Sequence, residues 1–351
     1  MYLVIAILIF SFLIFIHELG HFITAKLFDV RVNEFSIFMG PRLLHWGKGE
    51  TEYSLRLFPI GGFCAMEGED GSSDDPRSFT AKAPWKRCII LAAGAFMNFL
   101  TGFVILVLLY VSATGFRTLE VTGFVEGCPL EQQGLQVGDV IQEIDGDNLY
   151  IFSDFSMLTE RAGEGEMDVK VRRGGESVTL RLDMTKRDYV IDGETQHIYG
   201  LQFQGVEDKT LFSLLKNAWL TSIDFARMVK MGLFDLLTGR AGFADMSGPV
   251  GIVDTIQETG KSAASTADGV MNVIYFGAFI AINLAFMNML PLPALDGGHI
   301  FFLLVTWVIE SVTKKKVDPK YEAYIHAAGL VLLLGLMVLV TFNDILKLIG
   351  G

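Results

Sequence analysis

Two histidines and a glutamate near the start of the chain have the spacing of a metal site. The stretch is Phe15-Ile16-His17-Glu18-Leu19-Gly20-His21-Phe22, an H-E-x-x-H pattern. On a helix, His17 and His21 lie on one face, one turn above the other. Imidazoles so placed can bind one Zn2+ ion, with Glu18 beside the metal to take a proton from water. The setting adds to this. Met1 to Ile16 contains no charged residue. A glutamate and two histidines buried at the end of such a run are costly unless something compensates, and a bound metal does so. The competing reading is two helical histidines lining a polar cavity or bonding across a helix pair. The motif has no third ligand nearby, so one must come from elsewhere.

The elements that must position this motif are apolar. Of the 351 residues, 51% are hydrophobic, and 28 are phenylalanine. The mean hydropathy is +0.43. This is a membrane-protein composition, concentrated in blocks. The net charge of −12 argues against a nucleic-acid partner. The cysteines Cys64, Cys88 and Cys128 have no zinc-site spacing, and no disulfide is expected. No basic residue precedes the first apolar run, so it does not read as a cleaved signal peptide.

Four segments are long enough to cross the bilayer: 1–25, Cys88 to Phe116, Val270 to Leu295, and Ala323 to Asn343. Positive charge orients them. Lys26 and Arg31 follow the first, Lys82, Lys86 and Arg87 precede the second, and Lys314, Lys315, Lys316 and Lys320 separate the third and fourth. Those ends belong in the cytosol, which puts the N-terminus, residues 117–265 and the C-terminus outside. His17 then lies about 24 Å from the outer end of its helix, inside the membrane and nearer the cytosol.

Between the first two spans, Tyr53 to Phe58 alternates and is followed by Pro59-Ile60-Gly61-Gly62-Phe63. This reads as strands with a Gly-rich turn. It is either an ordinary cytosolic hairpin or a sheet edge beside the motif, with Gly61 and Gly62 placed to meet an extended substrate strand. Glu67 to Arg77 has the acidic, Gly/Ser-rich composition of a mobile loop. Gly94 to Asn98 in the second span reads as helix packing, where small residues and an asparagine bring helices together.

Residues 118–205 are soluble in character. Gly127-Cys128-Pro129 through Gly134-Leu135, Gly138-Asp139-Val140-Ile141 and Ile144-Asp145-Gly146 form a pattern that looks like a PDZ domain. Such a domain takes a peptide chain end along a sheet edge. A structural plug is the alternative. Residues 209–246 have helical, amphipathic spacing and suit the outer membrane surface, with Ser247-Gly248-Pro249-Val250-Gly251-Ile252 as an interruption. The third span offers the missing ligand in Leu295-Asp296-Gly297-Gly298-His299. A straight helix from Val270 would carry Asp296 about 39 Å along, beyond the bilayer core, so the helix must tilt or break. Pro291, Pro293 and the glycines are suitable breakers. Asp296 then reaches the depth of His17, unless it is merely a solvated residue in a cytosolic turn. Glu67, His299 and His326 are the next ligand candidates.

With these pieces in this order, the chain resembles the site-2 proteases, zinc intramembrane metalloproteases, and most closely the bacterial regulator-of-sigma-E branch. The resemblance covers nearly the whole chain, through His17 to His21, Pro59 to Gly62, Gly94 to Asn98, the PDZ-like pattern, Ser247 to Ile252 and Asn288 to Gly298. It implies that His17, His21 and Asp296 hold zinc, that Glu18 is the base, that Asn288 helps hold substrate, and that the alternating region re-enters the membrane. It also implies a substrate that crosses the bilayer once with its N-terminus in the cytosol, such as an anti-sigma factor or a remnant signal peptide. Two features depart from the family: Ala95 stands where proline is usual, and there is room for one PDZ-like domain rather than two.

The expected fold is an α-helical polytopic membrane protein with four transmembrane helices, a membrane-associated β region and an inserted extracytoplasmic PDZ-like α/β domain. Its parts are 1–116 with the zinc motif, 117–206 as the PDZ-like domain, 207–265 as surface helices, and 266–351 with the third ligand. The expected setting is a bacterial cytoplasmic membrane, and the expected function is zinc-dependent intramembrane endopeptidase. The alternatives are a proton or metal transporter, disfavoured by the lack of an internal repeat, and an inactive PDZ scaffold, disfavoured by the intact Glu18.

Overall fold

The uncharged N-terminal run folds as one helix, α1 (Tyr2–Leu27), in the computed structural model of the chain. The structure describes residues 1–350 except 48, 70–72, 192, 243–245, 247 and 316. Part of the acidic 67–77 stretch and Ser247 therefore lie outside the described residues. After α1 come two long strands, β1 (Val32–Trp46) and β2 (Glu52–Met66), and helix α2 (Pro84–Val111). Short strands follow: β3 (Gly115–Arg117), β4 (Gly123–Phe124), β5 (Val140–Ile144) and β6 (Asp147–Asn148). Helix α3 (Phe152–Ala162) leads to β7 (Glu166–Arg173), β8 (Glu176–Asp183), β9 (Arg187–Ile191), β10 (Glu194–Ile198), β11 (Leu201–Gln202) and β12 (Val206–Asp208). Five helices end the chain: α4 (Leu211–Thr238), α5 (Pro249–Lys261), α6 (Thr266–Asn288), α7 (Asp296–Thr313) and α8 (Pro319–Gly350).

Two units result, Met1–Leu106 with Phe225–Gly351, and Val107–Asp224. Among the described residues, four helices are long and apolar enough to cross a membrane: Tyr2–Leu27, Pro84–Val111, Thr266–Asn288 and Lys320–Lys347. These are the four expected segments, and they fit a polytopic membrane protein. The third span breaks as its prolines lead one to expect, but earlier than the expected end at Leu295. It stops at Asn288, and Asp296 is not on it but opens a separate 18-residue helix, α7. Pro291 and Pro293 explain the break, because each lacks an N–H and pushes the residue before it out of helical geometry.

The two long strands fold back on themselves. Phe35 pairs with both Cys64 and Tyr53, and Ile37 with both Gly62 and Leu55, so residues 34–37 lie between 52–55 and 62–65. Residues 42–46 then pair with 53–56. The strand end at 62–65 lies against α1: a Cβ added at Gly62 would stand 3.3 Å from Glu18 Cγ and 3.4 Å from Ile14 Cγ2. One apolar cluster, including Ala25, Val30, Phe35, Cys64 and Ile90, locks the end of α1 to this sheet and to α2. A second, including Ala6, Leu13, Ile256, Val273 and Ala281, packs the other half of α1 on α5 and α6.

The second unit carries a four-stranded antiparallel sheet in the order β6-β5-β7-β8. The turn residues read from sequence do sit at turns: Gly138, Asp145 and Gly146 have φ of 93°, 47° and 89°. Asp139 is fully buried. Its carboxylate accepts from Arg173 Nε and from an Arg173 terminal nitrogen, both at 2.7 Å, and from the Gln136 N–H at 2.9 Å. Burial pushes this carboxyl up, but the guanidinium and the backbone N–H outweigh it and hold it below the usual range.

The stretch before α5 is tied down from far along the chain. Asp344 on α8, 2% exposed, accepts from the N–H of Gly248 at 2.9 Å and of Gly251 at 2.8 Å. It thus satisfies two of the free donors at the start of α5. Asp344→Ala should lower stability by about 1–3 kcal/mol, the cost of orphaning a buried donor, with Asp344→Asn retaining part of it. Unfolding midpoints of the purified protein in detergent measure this, and an unchanged midpoint in the alanine variant would mean that these bonds contribute nothing.

Candidate metal centre

Helix α1 presents His17 and His21 one turn apart, and α7 presents Asp296 in its first turn. The three side chains converge. His17 Nε2 and His21 Nε2 are 3.2 Å apart. Asp296 Oδ2 lies 3.3 Å from the former and 3.6 Å from the latter. Side-chain exposure is 13% for His17, 7% for His21 and 19% for Asp296. The solvated-turn reading of Asp296 is therefore not what the structure has.

Three features make this a good fit to zinc. Tetrahedral ligands about 2.0–2.1 Å from zinc stand roughly 3.3–3.4 Å from one another, close to the separations here. Asp296 Oδ2 is buried with no hydrogen-bond donor among the described residues. His21 Nδ1 lies 2.8 Å from the Ile90 carbonyl oxygen. A carbonyl only accepts, so the proton sits on Nδ1 and the Nε2 lone pair is left for a cation. The space itself comes from α2: a Cβ added at Gly94 would stand 2.3 Å from His21 Nε2 and 2.7 Å from His17 Cε1.

Glu18 does not join this face. It lies beside the 62–65 strand, within reach of the Cys64 backbone N–H. Gly61 sits in the left-handed region at φ 82°, which glycine adopts freely. Asn288, the last residue of α6, has its amide nitrogen 3.5 Å from His17 Nδ1. Asn98 on α2, 2% exposed, stands at the same distance from the same ring nitrogen. Its place at the site was missed in the sequence, where Gly94 to Asn98 reads as packing alone. The available signal was the four-residue spacing of Gly94 and Asn98, which puts both on one face of α2. The other ligand candidates go elsewhere. Glu67 accepts from Asn33 and Ser73, and His299 and His326 stack on each other.

Helices that suit a bilayer and a buried His-His-Asp cluster beside a glutamate define a membrane metalloprotease. The chain belongs to peptidase family M50, whose model matches residues 5–336; this is the site-2 protease family that the sequence resembles. A Clostridium perfringens protein named as a candidate zinc metalloprotease is 37% identical over 347 residues, covering 99% of each chain. The zinc metalloprotease RasP of Bacillus licheniformis is 30% identical over 424 positions, covering 97% of this chain and 98% of that one. The regulator of sigma-W protease RasP of Bacillus subtilis is 28% identical over 437 positions, covering 97% of each. Both RasP alignments are longer than the 351 residues here, so those proteins carry segments that this chain lacks. The protein is thus a membrane enzyme that uses Zn2+, and the transporter and inactive-scaffold readings give way.

Gly94→Ala tests how tightly the site is packed. The imidazoles must move to admit the methyl group, and displacement by about 1 Å at a reacting centre can cost on the order of a hundredfold. Turnover should fall by that order and zinc per chain should drop, both measured on purified protein. Normal zinc and turnover would mean that the rings can yield without loss.

Proposed function

We propose that this enzyme hydrolyses a peptide bond within, or close to, the transmembrane helix of a substrate that crosses the bilayer once. His17, His21 and Asp296 hold the zinc, and their mutual separations of 3.2–3.6 Å carry the reading. Zinc bound there supplies a Lewis acid for the scissile carbonyl and makes water a better nucleophile. Glu18 takes the proton from that water and later delivers it to the leaving amine. Its place one residue after His17 turns it about 100° away from the ligand face, which makes it a poor ligand but leaves it within reach of water beside the metal. The side-chain amides of Asn98 and Asn288 lie 3.5 Å from His17 Nδ1. An amide turned with its oxygen toward that nitrogen accepts its proton and leaves Nε2 for zinc, and Asn288, at the end of α6, also helps hold substrate.

A helical substrate shields its amides with its own hydrogen bonds, so it must unwind to be cut. Residues 62–65 pair with β1 on one edge. Gly61 and Gly62 add no bulk there, which supports pairing with an extended substrate segment. The name of the Bacillus subtilis relative, a regulator of sigma-W protease, supports an anti-sigma factor as substrate. A remnant signal peptide has the same chemistry. The second unit, with its strands and Gly-Asp and Asp-Gly turns, is read as a single PDZ-like domain over 117–206 that receives a peptide chain end. The setting is the bacterial cytoplasmic membrane, with the PDZ-like domain on its extracytoplasmic side.

Zinc content and turnover measured together test the residue roles. His17→Ala, His21→Ala and Asp296→Ala should lose zinc, expected at about one ion per chain in the parent. Glu18→Gln should keep zinc and substrate binding but lose at least about a hundredfold in turnover, because an amide cannot accept the proton. Near-normal turnover in Glu18→Gln removes it from the mechanism, and full zinc in Asp296→Ala moves the third ligand elsewhere.

Orientation has its own test. Cys64 and Cys128 are buried at 7% and 5% exposure, so they are poor probes, and single cysteines are placed instead at exposed Thr195 and Asp74 in a cysteine-free chain. A maleimide that cannot cross membranes should label Thr195→Cys in whole cells, and Asp74→Cys only after permeabilisation. The reverse pattern would invert the proposed orientation.

A further inference from the structure

A second group of titratable side chains lies apart from the His17 cluster: His299 on α7 with Glu322 and His326 on α8. The two rings stack, with centroids 3.7 Å apart and planes 5° from parallel. Glu322 Oε1 lies 3.9 Å from His299 Nδ1 and 3.9 Å from His326 Nε2. The donor set suits a metal, but one hydrogen bond points the other way. The backbone N–H of Ala294 donates to His326 Nδ1 at 3.0 Å. A ring nitrogen that accepts keeps its lone pair for the donor, so the neutral ring carries its proton on Nε2. Ligating histidines show the opposite arrangement and donate from the nitrogen that does not face the metal. His326 therefore serves the loop before α7 rather than a cation.

That loop has much to hold in place. Ala294 is a non-glycine residue at φ 70°, a backbone state that L residues keep when their surroundings enforce it. It comes two residues before Asp296. Gly329 lies three residues after His326 on the same face of α8. A Cβ added at Gly329 would stand 2.3 Å from Pro293 Cβ and 3.1 Å from the Pro293 carbonyl oxygen. So α8 meets Pro293–Ala294 at two points, one a hydrogen bond and one a close backbone approach. The start of α7 is as tightly seated, since a Cβ at Gly298 would stand 2.1 Å from the Leu292 carbonyl oxygen.

We infer that His326 is a positioning residue for Asp296: by accepting the Ala294 N–H it fixes the loop that delivers the carboxylate to the zinc, and Gly329 lets α8 come close enough to do so. The inference rests on the ligand role proposed for Asp296. It gives the C-terminal span a part in the metal site although it contributes no ligand.

The test uses the full chain purified in detergent. Zinc affinity is measured by chelator competition, and the Co2+-loaded protein gives a spectrum that reports ligand geometry. His326→Ala should weaken zinc binding about 10–100-fold, the usual effect of losing a partner outside the ligand set, and should alter the Co2+ spectrum. His326→Asn, which can offer an oxygen where Nδ1 was, should restore most of both. His326→Gln, whose oxygen lies one carbon further out, should not, and it serves in place of alanine if that variant does not fold. Parent-like zinc affinity and spectrum in both His326→Ala and His326→Gln, with zinc lost in Asp296→Ala, would overturn the inference alone. Equal defects in the asparagine and glutamine variants would overturn it too, leaving only a structural role. Retention of zinc by Asp296→Ala would take down the ligand reading and this inference with it. A second zinc equivalent that disappears in Glu322→Gln would show the cluster to be a metal site and the tautomer argument wrong.

Discussion

The structure depends on one unfavourable juxtaposition. Two imidazole nitrogens 3.2 Å apart both face a carboxylate oxygen that receives no hydrogen bond among the described residues. Any two of these atoms that meet without a proton between them repel, and a carboxylate removed from water is among the costliest groups to bury. In a membrane segment there is little water to relieve either. A divalent cation at the centre turns every one of these repulsions into attraction. The zinc proposed for this site would therefore be as much a structural requirement of the arrangement as a chemical one, since it would offset the cost of bringing α1 and α7 together.

Bringing them together imposes its own constraints on the backbone. Helix α2 must pass close behind the motif, and it does so through small residues: a Cβ on Gly20 would stand 2.5 Å from the Ala93 carbonyl oxygen, and one on Gly94 would strike the His21 ring. Asp296 must face inward at the depth of His17, which a continuous α6 could not arrange. Ending α6 at Asn288 and starting α7 at Asp296 solves this. The carboxylate then lies at a helix N-terminus, where unpaired N–H groups favour negative charge. The non-helical backbone between them is admissible in a membrane only because protein surrounds it, and α8 supplies part of that cover at Pro293 and Ala294.

What was legible in the sequence was whatever rests on local periodicity. The i, i+4 histidines, the apolar lengths of the four spans, the prolines that end α6 and the Gly-Asp turns of the second unit all declare themselves within a few residues. What was not legible rests on long-range pairing. Nothing near Asp344 marks it as the acceptor for Gly248 and Gly251, almost a hundred positions earlier. Asn98 looked like helix packing because its partner, His17, is 81 residues away. The fold-back of β1 and β2 was hidden because alternation shows which residues share a face but not which strand lies alongside. The start of α7 at Asp296 was missed for a different reason. The break was legible in Pro291 and Pro293, but Asp296-Gly297-Gly298 has the composition of a turn, so nothing local says that the chain resumes as a helix at Asp296.

His21 and His326 show how far the backbone decides what an imidazole does. Both are buried, both belong to the same unit, and both have a carboxylate near Nε2. They differ in what faces Nδ1: the Ile90 carbonyl for His21, and the Ala294 N–H for His326. A carbonyl requires a proton on Nδ1 and so frees the Nε2 lone pair, whereas an N–H requires the reverse. One ring becomes fit to bind a cation and the other fit to hold a loop, with no change in residue type. The two clusters hold the same kinds of side chain; the polarity of one main-chain group behind His21 and behind His326 separates them, and favours the cluster beside Glu18 as the proposed zinc site.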